Sequence, residues 1–416
     1  MTRGFVLRQA VGAALAVNAL RPLPQGPASV ASFFPGWLTA ELAPQILTAT
    51  AVDAAVHTAR HGARSRSDRL GLALAAASIG GLGAVIATGR RAGEEAEAAL
   101  VEALGENYAD RDSEIEHGVR PVWRQLLNPF RMRHEDVNRI RNIAYAPGGR
   151  RTQLDIYHRH DLPAGSPILL QIHGGGWVIG NKDQQGLPLM LDMASRGWVC
   201  AAVNYPLSPR AKWPEHLIAI KQALAWLREH GAEYGGNPDF IAVTGGSAGG
   251  HLAAMVGLTG NDERFQPGFE DEDTTVQACV PYYGVYDFAG DSGIKAVLQR
   301  ANSGLMPLVL GKRAKYPEDY RAASPLANLR ADAPPFFVIH GANDSLVPVT
   351  EARYFVDALR RVSDNPVAYA ELKGAQHAFD VFPSIRSIAI THAVGRFLEW
   401  SHSTTTDVPA AGSESA

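Results

Sequence analysis

The residue with the clearest chemical potential is the serine in the segment Gly245-Gly246-Ser247-Ala248-Gly249. A strand-like run, FIAVT, precedes this segment, and a helical run, HLAAM, follows it. Glycines on both sides of the serine allow a tight strand-to-helix turn, because neighbouring backbones can approach without a Cβ clash. The turn would place the Ser247 hydroxyl at the positive end of the helix, where negative charge is stabilised. The segment therefore predicts a nucleophilic serine that forms a covalent intermediate.

A second glycine-rich segment, HGGGW at residues 173–177, follows the strand-like run PILLQI. Consecutive glycines leave backbone N–H groups uncovered, so that they can point at a substrate oxygen. Together with the N–H after the nucleophile, they would stabilise the oxyanion of a tetrahedral intermediate. The predicted donors are Gly174, Gly175, Gly176 and Ala248. His173 is expected to order this loop by hydrogen bonding rather than to act as a base.

Two later residues complete a candidate catalytic triad. Asp344 follows the strand-like run PFFVIHG, and His377 lies in a loop after VAYAELKG. A histidine can take the proton of Ser247, and a carboxylate can orient the imidazole. Two other candidates are weaker. We expect His340 to support the site without touching substrate, and Asp287 to hold a loop or a helix start.

Strand-like runs and amphipathic helices alternate between residues 131 and 402. The strand-like runs are RNIAYA, TQLDIYH, PILLQIHG, WVCAAVNY, FIAVTGG, QACVPYYG, PFFVIHG and VAYAELKG. This alternation predicts an α/β fold with a mostly parallel central sheet and helices on both faces. An apolar run inside residues 285–330 predicts a cap over the acyl pocket. The small polar residues of 403–416 predict a disordered tail.

Residues 1–130 differ in composition and predict a helical N-terminal region rich in alanine, leucine and glycine. Residues 70–89 contain no charged side chain. A helix of about twenty residues spans about 30 Å, which is the thickness of the hydrocarbon layer of a bilayer. Arginines flank this run on both sides, as they do beside membrane-spanning helices. We therefore expect a membrane-associated region with a candidate transmembrane helix at 70–89; the alternative is a soluble helical hairpin packed over the catalytic domain.

An earlier apolar run also fits contact with a membrane. It carries the aromatic residues Phe33, Phe34 and Trp37, together with Pro35 and Pro44. Such a run suits either a kinked second span or an interfacial helix anchored by its aromatic side chains. Because arginines stand on both sides of residues 70–89, the sequence leaves open which side of the membrane the enzyme faces.

Composition narrows the classes of function. The chain has 416 residues, of which 46% are hydrophobic and 19% are charged, so it can bury a large core. The net charge of -3 argues against a nucleic-acid partner, because such proteins carry a strong basic excess. Cys200 and Cys279 both lie in apolar strand-like runs, which favours buried thiols over a metal or redox site.

The segments HGGGW, GGSAGGH, HGANDSLVP and QHAF together resemble those of the hormone-sensitive-lipase-like group of carboxylesterases and lipases, in the α/β-hydrolase superfamily. The resemblance covers residues from about 140 to 402 and extends to the microbial members and to the arylacetamide-deacetylase and isoprenylcysteine-methylesterase branches. It implies the α/β-hydrolase fold, with Ser247 as nucleophile, His377 as base and Asp344 as its orienter. It also implies a two-step acyl transfer that requires neither a metal nor an organic cofactor.

The resemblance has two departures that bear on substrate class. Gly246 stands where the group often has aspartate, and NYPLSP replaces the commoner DYRLAP. The implied activity is hydrolysis of small-molecule or lipid carboxylic esters. Amide hydrolysis by the same triad is the alternative. A catalytically inactive binding protein is disfavoured, because His377 is retained.

Overall fold

The computed structural model describes residues 2–23, 28–108, 122–161, 164–301, 304–312, 315 and 317–406. Its strands are β1 Val137–Ala144, β2 Gln153–Arg159, β3 Ser166–Ile172, β4 Val199–Val203, β5 Gly236–Gly246, β6 Ala278–Tyr282, β7 Phe336–Gly341 and β8 Val367–Leu372. They form one sheet in the order β1-β2-β4-β3-β5-β6-β7-β8. β2 pairs antiparallel with β1 and β4, and all other neighbours are parallel. Each predicted strand-like run therefore contributes a strand to a mostly parallel sheet.

The helices of the N-terminal part are α1 Thr2–Leu20, α2 Ser29–Glu41, α3 Ala43–His61, α4 Arg66–Leu104 and α5 Val122–Leu127. Those of the α/β part are α6 Leu187–Ser195, α7 Glu215–His230, α8 Ala248–Leu258, α9 Lys295–Ala301, α10 Leu305–Leu310, α11 Pro317–Ala322, α12 Val349–Arg360 and α13 Ile385–Thr406. The short helices α9, α10 and α11 lie within the predicted cap segment, residues 285–330. The side chain of Leu305 in α10 lies against the glycine loop, 3.5 Å from where a Cβ on Gly176 would stand.

The central strands are buried on both faces, which explains their continuous apolar sequences. Leu169 in β3 packs in a cluster with residues of α6 and α13 on one face. Its neighbour Leu170 packs with α7, α8 and α12 on the other face. Cys200 and Cys279 are buried, unpaired members of β4 and β6, as predicted.

The parallel arrangement brings the candidate site residues to one edge of the sheet. β3 ends at Ile172, just before the glycine loop, and β5 ends directly before Ser247. β7 and β8 end shortly before Asp344 and His377 respectively. The carboxyl ends of parallel strands meet along one edge, so four loops distant in sequence can share one site.

Helix α4 belongs both to the N-terminal region and to the catalytic core. Its first half contains the candidate span 70–89, and it continues without a break through the charged residues that follow. In its second half, Ala92, Ala96 and Leu100 are fully buried in the cluster that covers one face of the sheet. The N-terminal region therefore packs on the α/β domain, which is a feature of the soluble-hairpin alternative.

The other N-terminal helices pack around the first half of α4. A Cβ on Gly71 would meet the ring of Phe5, and one on Gly81 would lie 3.2 Å from Ala16, so α1 runs parallel to α4. Where the end of α3 meets the start of α4, His57 Nε2 donates a 3.0 Å hydrogen bond to the Asp68 carboxylate. The predicted kinked segment is two helices, α2 and α3, which meet at Leu42.

The C-terminal end differs from the prediction of a disordered tail over 403–416. α13 continues through Thr406. The hydroxyl groups of Ser403, Thr404 and Thr405 donate to carbonyls of the preceding turn, which lets these polar residues stay helical. Residues 407–416 lie outside the described part of the chain.

A buried ion pair joins the N-terminal helices to the α/β domain. Glu41 at the end of α2 accepts from the guanidinium of Arg386 and, at 2.6 Å, from the Ser384 hydroxyl. The side chains of Glu41 and Arg386 are each only 1% exposed. A buried charge needs a partner, so this contact holds α2 against the loop after β8.

We expect Glu41→Gln to destabilise the protein by about 3–5 kcal/mol, because it leaves the buried Arg386 charge uncompensated. The measurement is the midpoint of urea unfolding of the full chain in detergent, with tryptophan fluorescence as the signal. The matched control is Arg8→Gln, which breaks an ion pair to Asp53 whose side chains are 59% and 30% exposed. The control should shift the midpoint far less, because exposed ion pairs contribute little to stability. Equal shifts in both variants would contradict this account of the contact.

Candidate active site

Ser247 occupies a strained turn between β5 and α8. Its backbone has φ 59° and ψ -119°, a region that side chains other than glycine rarely adopt. The Ser247 N–H donates to the Tyr282 carbonyl at 3.0 Å, which ties the turn to the end of β6. The surrounding structure therefore holds the serine in the conformation that the predicted elbow requires.

Glycines allow the loop after β3 to lie directly against this turn. A Cβ on Gly174 would stand 2.6 Å from the Gly246 carbonyl oxygen and 3.2 Å from the Cβ of Ser247. A Cβ on Gly249 would collide with the Ile172 carbonyl oxygen and lie 2.9 Å from that of His173. Only bare backbone fits here, so the glycine loop and the serine are held in contact.

The glycine loop offers fewer free donors than predicted. The Gly174 N–H donates to the side-chain oxygen of Gln185 at 2.7 Å. Its predicted role as an oxyanion donor is therefore not supported by this geometry. Gly175 and Gly176 have no acceptor for their N–H groups within the described residues, and the prediction for these two and for Ala248 stands.

His173 orders the loop in the way expected of it. Its Nδ1 bonds the Gly174 carbonyl at 2.7 Å, and its ring stacks on Tyr205 with centroids 4.4 Å apart. The Tyr205 hydroxyl donates to the His173 carbonyl at 2.9 Å. The Nδ1 atom, the ring and the carbonyl of His173 thus all make contacts that shape the loop. The role of base is left to another histidine.

Asp344 and His377 meet where the loop after β7 lies against the loop after β8. Asp344 Oδ2 lies 2.6 Å from His377 Nδ1, and its Oδ1 accepts 2.8 Å hydrogen bonds from the N–H groups of Leu346 and Val347. Burial opposes ionisation, but attraction to His377 and hydrogen bonds from His340 and His377 outweigh it. Together they hold the pKa of Asp344 well below its ordinary value. The carboxylate is therefore charged and fixed at neutral pH.

His340 lies beside this acid, as expected. Its Nε2 is 3.3 Å from Asp344 Oδ2 and 3.1 Å from the Val347 carbonyl. Asp287, the weaker acid candidate, holds a loop instead: its carboxylate accepts from the N–H groups of Gly290 at 2.6 Å and Ser292 at 2.9 Å.

Tyr283 explains why glycine precedes the nucleophile. A Cβ on Gly246 would stand 2.6 Å from the Tyr283 hydroxyl oxygen, so the aspartate common in the group has no room here. The Tyr283 ring lies 4.4 Å from the His377 ring, and its hydroxyl donates to Asp380. Tyr283 therefore connects the serine turn to the histidine loop, a role that no motif in the sequence indicated.

Two further contacts were not predicted. The Gln376 side-chain oxygen accepts from the N–H groups of Ser345 and His377, at 2.8 and 2.9 Å, and so bridges the acid and base loops. Phe33 of α2 presents its edge to His377, with ring centroids 6.0 Å apart. The sequence marked Phe33 only as an aromatic residue suited to a membrane surface.

A cavity of about 600 Å³ lies elsewhere on the molecule. It is lined by the turn after β1 and by residues 206–211 and 215–222. Ser247, Asp344 and His377 do not line this cavity, so we do not assign it as the binding site for the ester substrate.

Comparison with known proteins identifies the family. A family model described as BD-FAE matches residues 154–359, from β2 to α12. Probable carboxylic ester hydrolase LipM of Mycobacterium tuberculosis is 44% identical over 414 residues, which cover 95% of this chain and 92% of that protein. The chain belongs to this family of carboxylic ester hydrolases. Esterase LipQ of the same organism is 39% identical and covers 87% of this chain and 83% of its own length.

The solved structures agree on the fold. Esterase B from Lactobacillus rhamnosis has a TM-score of 0.56 at 19% identity and covers 74% of this chain and 98% of its own. That likeness shows the α/β-hydrolase fold. The predicted fold, the hormone-sensitive-lipase-like resemblance and the class of carboxylic ester hydrolase are therefore confirmed. The LipM match also reaches into the N-terminal helices, since it covers far more of the chain than residues 131–416.

Buried histidines should make this hydrolase sensitive to acid. Burial lowers the pKa of His173 and His216 to about 4, and that of His251 to about 3. Unfolded histidine titrates near pH 6.5, so below that pH the unfolded chain binds protons that the folded chain does not. The free energy of unfolding should therefore fall as the pH drops from about 6.5 towards 4. Urea unfolding measured across this window tests the prediction.

A variant isolates one of these protons. His216 Nε2 contacts the Ser208 hydroxyl at 3.1 Å, and glutamine can replace that contact without titrating. His216→Gln should reduce the slope of stability against pH by up to one proton. A urea midpoint that does not change between about pH 7 and pH 5 in the wild type would contradict the predicted loss of stability in acid.

Proposed function

We propose that this carboxylic ester hydrolase uses Ser247 as nucleophile, His377 as general base and then acid, and Asp344 as the group that orients the imidazole. The 2.6 Å contact between His377 Nδ1 and Asp344 Oδ2 carries the proposal. A charged Asp344 keeps the proton on Nδ1, so that Nε2 is free to accept the serine proton. The strained turn at Ser247 and the glycine loop beside it support the same assignment.

In the first step, the Ser247 oxygen attacks the ester carbonyl carbon while His377 Nε2 takes the hydroxyl proton. The negative charge moves to the carbonyl oxygen, where the N–H groups of Gly175, Gly176 and Ala248 stabilise it. Each such donor contributes about 3–4 kcal/mol to the transition state. The C–O bond then breaks, and the alcohol leaves with the proton from His377.

In the second step, water attacks the acyl-enzyme. His377 takes a proton from the water, the oxyanion forms again in the same place, and the Ser247–acyl bond breaks as the serine regains its proton. The carboxylic acid leaves. Both steps use side chains and backbone groups of this chain alone.

We propose esters rather than amides as substrates. LipM and LipQ carry the names of a probable carboxylic ester hydrolase and an esterase. The contacts described above favour no amide group, so the amide alternative gains no support.

We also propose that the N-terminal helices hold the enzyme at a membrane. α4 is long and apolar enough to cross a bilayer, with a mean hydropathy of 2.0 over 18 residues, of which only 28% are buried. A helix in the core of a soluble protein would be mostly buried.

At the end of the bundle remote from the sheet, the start of α1, the end of α3 and the start of α4 meet. Exposed arginines cluster at that end: Arg3, Arg8, Arg60, Arg64, Arg66 and Arg69. An apolar segment next to such a cluster suits a bilayer with its headgroups.

Ser247→Ala should abolish turnover of a short-chain p-nitrophenyl ester while leaving the fold intact, because it removes the attacking oxygen. The measurement is the initial rate, together with labelling by a fluorophosphonate and a circular dichroism spectrum. Ser363→Ala, in the turn between α12 and β8, is the control and should keep full rate and labelling. Turnover at the wild-type rate in Ser247→Ala would disprove the assignment.

The full-length enzyme should remain with the membrane fraction after a carbonate wash. Ala77→Glu/Ala84→Glu places two charges on the exposed face of α4 and should release protein into the supernatant. Immunoblotting of both fractions measures the distribution, and ester hydrolysis shows that the released variant is folded. Wild-type protein found wholly in the soluble fraction would end the membrane proposal.

A further inference from the structure

Helix α2 forms a wall beside the proposed base. The rings of Phe33 and His377 form a T-shaped contact with 77° between their planes, and Phe33 is only 7% exposed. One turn further on, a Cβ on Gly36 would lie 3.7 Å from the Gln376 side-chain nitrogen. The inner side of α2 therefore covers the loop that carries His377.

The N-terminal helices touch the acid loop as well. The Asn343 side chain, next to Asp344, donates to the carbonyl of Leu20 at the end of α1, at 3.2 Å. The buried pair of Glu41 and Arg386 fixes the end of α2 beyond the histidine loop. These contacts place α2 at the site as part of its enclosure.

The outer side of α2 is apolar too. Val30, Phe34 and Leu38 are spaced four residues apart, so they form one stripe along the helix. Their exposed fractions are 56%, 56% and 37%. We call these three residues the α2 face. The helix carries no charged side chain before Glu41, which is buried.

Aromatic contacts join the α2 face to the site. The Phe34 ring lies 4.8 Å from Phe33, and Phe33 lies 5.9 Å from Trp37. Trp37 in turn contacts Phe382 at 5.5 Å, and Phe382 contacts Phe130 at 5.3 Å. Phe130 is 64% exposed, and Phe34, at the other end of the series, is 56% exposed. A series of packed aromatic side chains, which we call the aromatic path, therefore runs from the surface to His377.

The distribution of exposed apolar side chains favours a bilayer over a protein partner. Of the twenty exposed large hydrophobic residues in the described chain, eleven lie between Leu7 and Leu70. All but Leu23 occur on α1, α2, α3 and α4, and so face outward on several sides, while polar Gln9, His57 and Ser78 are buried inside. A protein partner covers one face, whereas lipid surrounds a bundle. Polar side chains inside and apolar ones outside are what a lipid environment requires.

We infer that the α2 face docks into a lipid bilayer and that ester substrates pass from the lipid phase along α2 to Ser247. The inference rests on the proposed function and names its substrate class: carboxylic esters whose acyl or alcohol chain is long enough to partition into lipid. The arginines at the remote end of the bundle complement anionic headgroups, and the aromatic path next to His377 accepts the hydrocarbon chain.

The test uses the full-length enzyme with two substrates that share one chromophore. p-Nitrophenyl butyrate is supplied in solution, and p-nitrophenyl palmitate is dissolved in vesicles of equal parts phosphatidylcholine and phosphatidylglycerol. In Val30→Glu/Leu38→Glu, two carboxylates replace the ends of the α2 face, and neither residue contacts His377 in the structure. The rate on the vesicle ester, per vesicle-bound enzyme, should fall at least tenfold. The rate on the soluble ester should stay within about twofold of wild type.

The control is Val362→Glu, which adds a charge at an apolar position that is 40% exposed, close to the 37% of Leu38. Val362 lies before the start of β8, whereas His377 follows the end of that strand. It should keep both rates. The inference is overturned if the α2 variant hydrolyses the vesicle ester at the wild-type rate per bound enzyme, or if Val362→Glu loses as much. Failure of the proposed function is a different result: the wild type would then hydrolyse neither ester.

Discussion

Direct contact between two stretches of backbone is the constraint on which the site depends. The loop after β3 and the turn after β5 press together where Gly174 faces Gly246 and Gly249 faces Ile172. A side chain at either of the facing glycines would force the strand ends apart. The same contact keeps Ser247 at φ 59°, since a strained residue persists only when its surroundings determine its position.

The buried carboxylate of Asp344 places the second demand on the fold. A charge without access to water must be surrounded by donors. Here two backbone N–H groups, His340 and His377 supply them. The donors come from β7, from the loop after β7 and from the loop after β8, and Gln376 joins these two loops. Satisfying the acid therefore fixes the imidazole, and the direction of the imidazole decides which ring nitrogen can face the serine.

The order and kind of elements could be predicted because short-range patterns encode them. The strand runs and the serine turn were readable from spacing and residue type, and the proposed order of serine, acid and histidine rests on the same kind of pattern. The occupied N–H of Gly174 could not be foreseen, since Gln185 carries no motif and reaches it only through the folded loop. The Tyr283 hydroxyl at Gly246 and Phe33 at His377 are likewise contacts between segments far apart in sequence. The helical residues 403–406 were missed because composition alone does not show that their hydroxyl groups bond carbonyls of the preceding turn of α13.

The N-terminal region combines features of a membrane-associated segment with features of a soluble helical hairpin packed on the catalytic domain. α4 buries Ala92, Ala96 and Leu100 in the catalytic core, as a soluble helical hairpin would, yet only 28% of the apolar 18-residue stretch in its first half is buried. One continuous helix cannot change its direction between these halves without a break, and α4 has none. The sheet, and with it the edge that carries Ser247, is therefore held in one orientation relative to the apolar bundle. Whatever environment the bundle occupies sets the direction from which an ester reaches the serine.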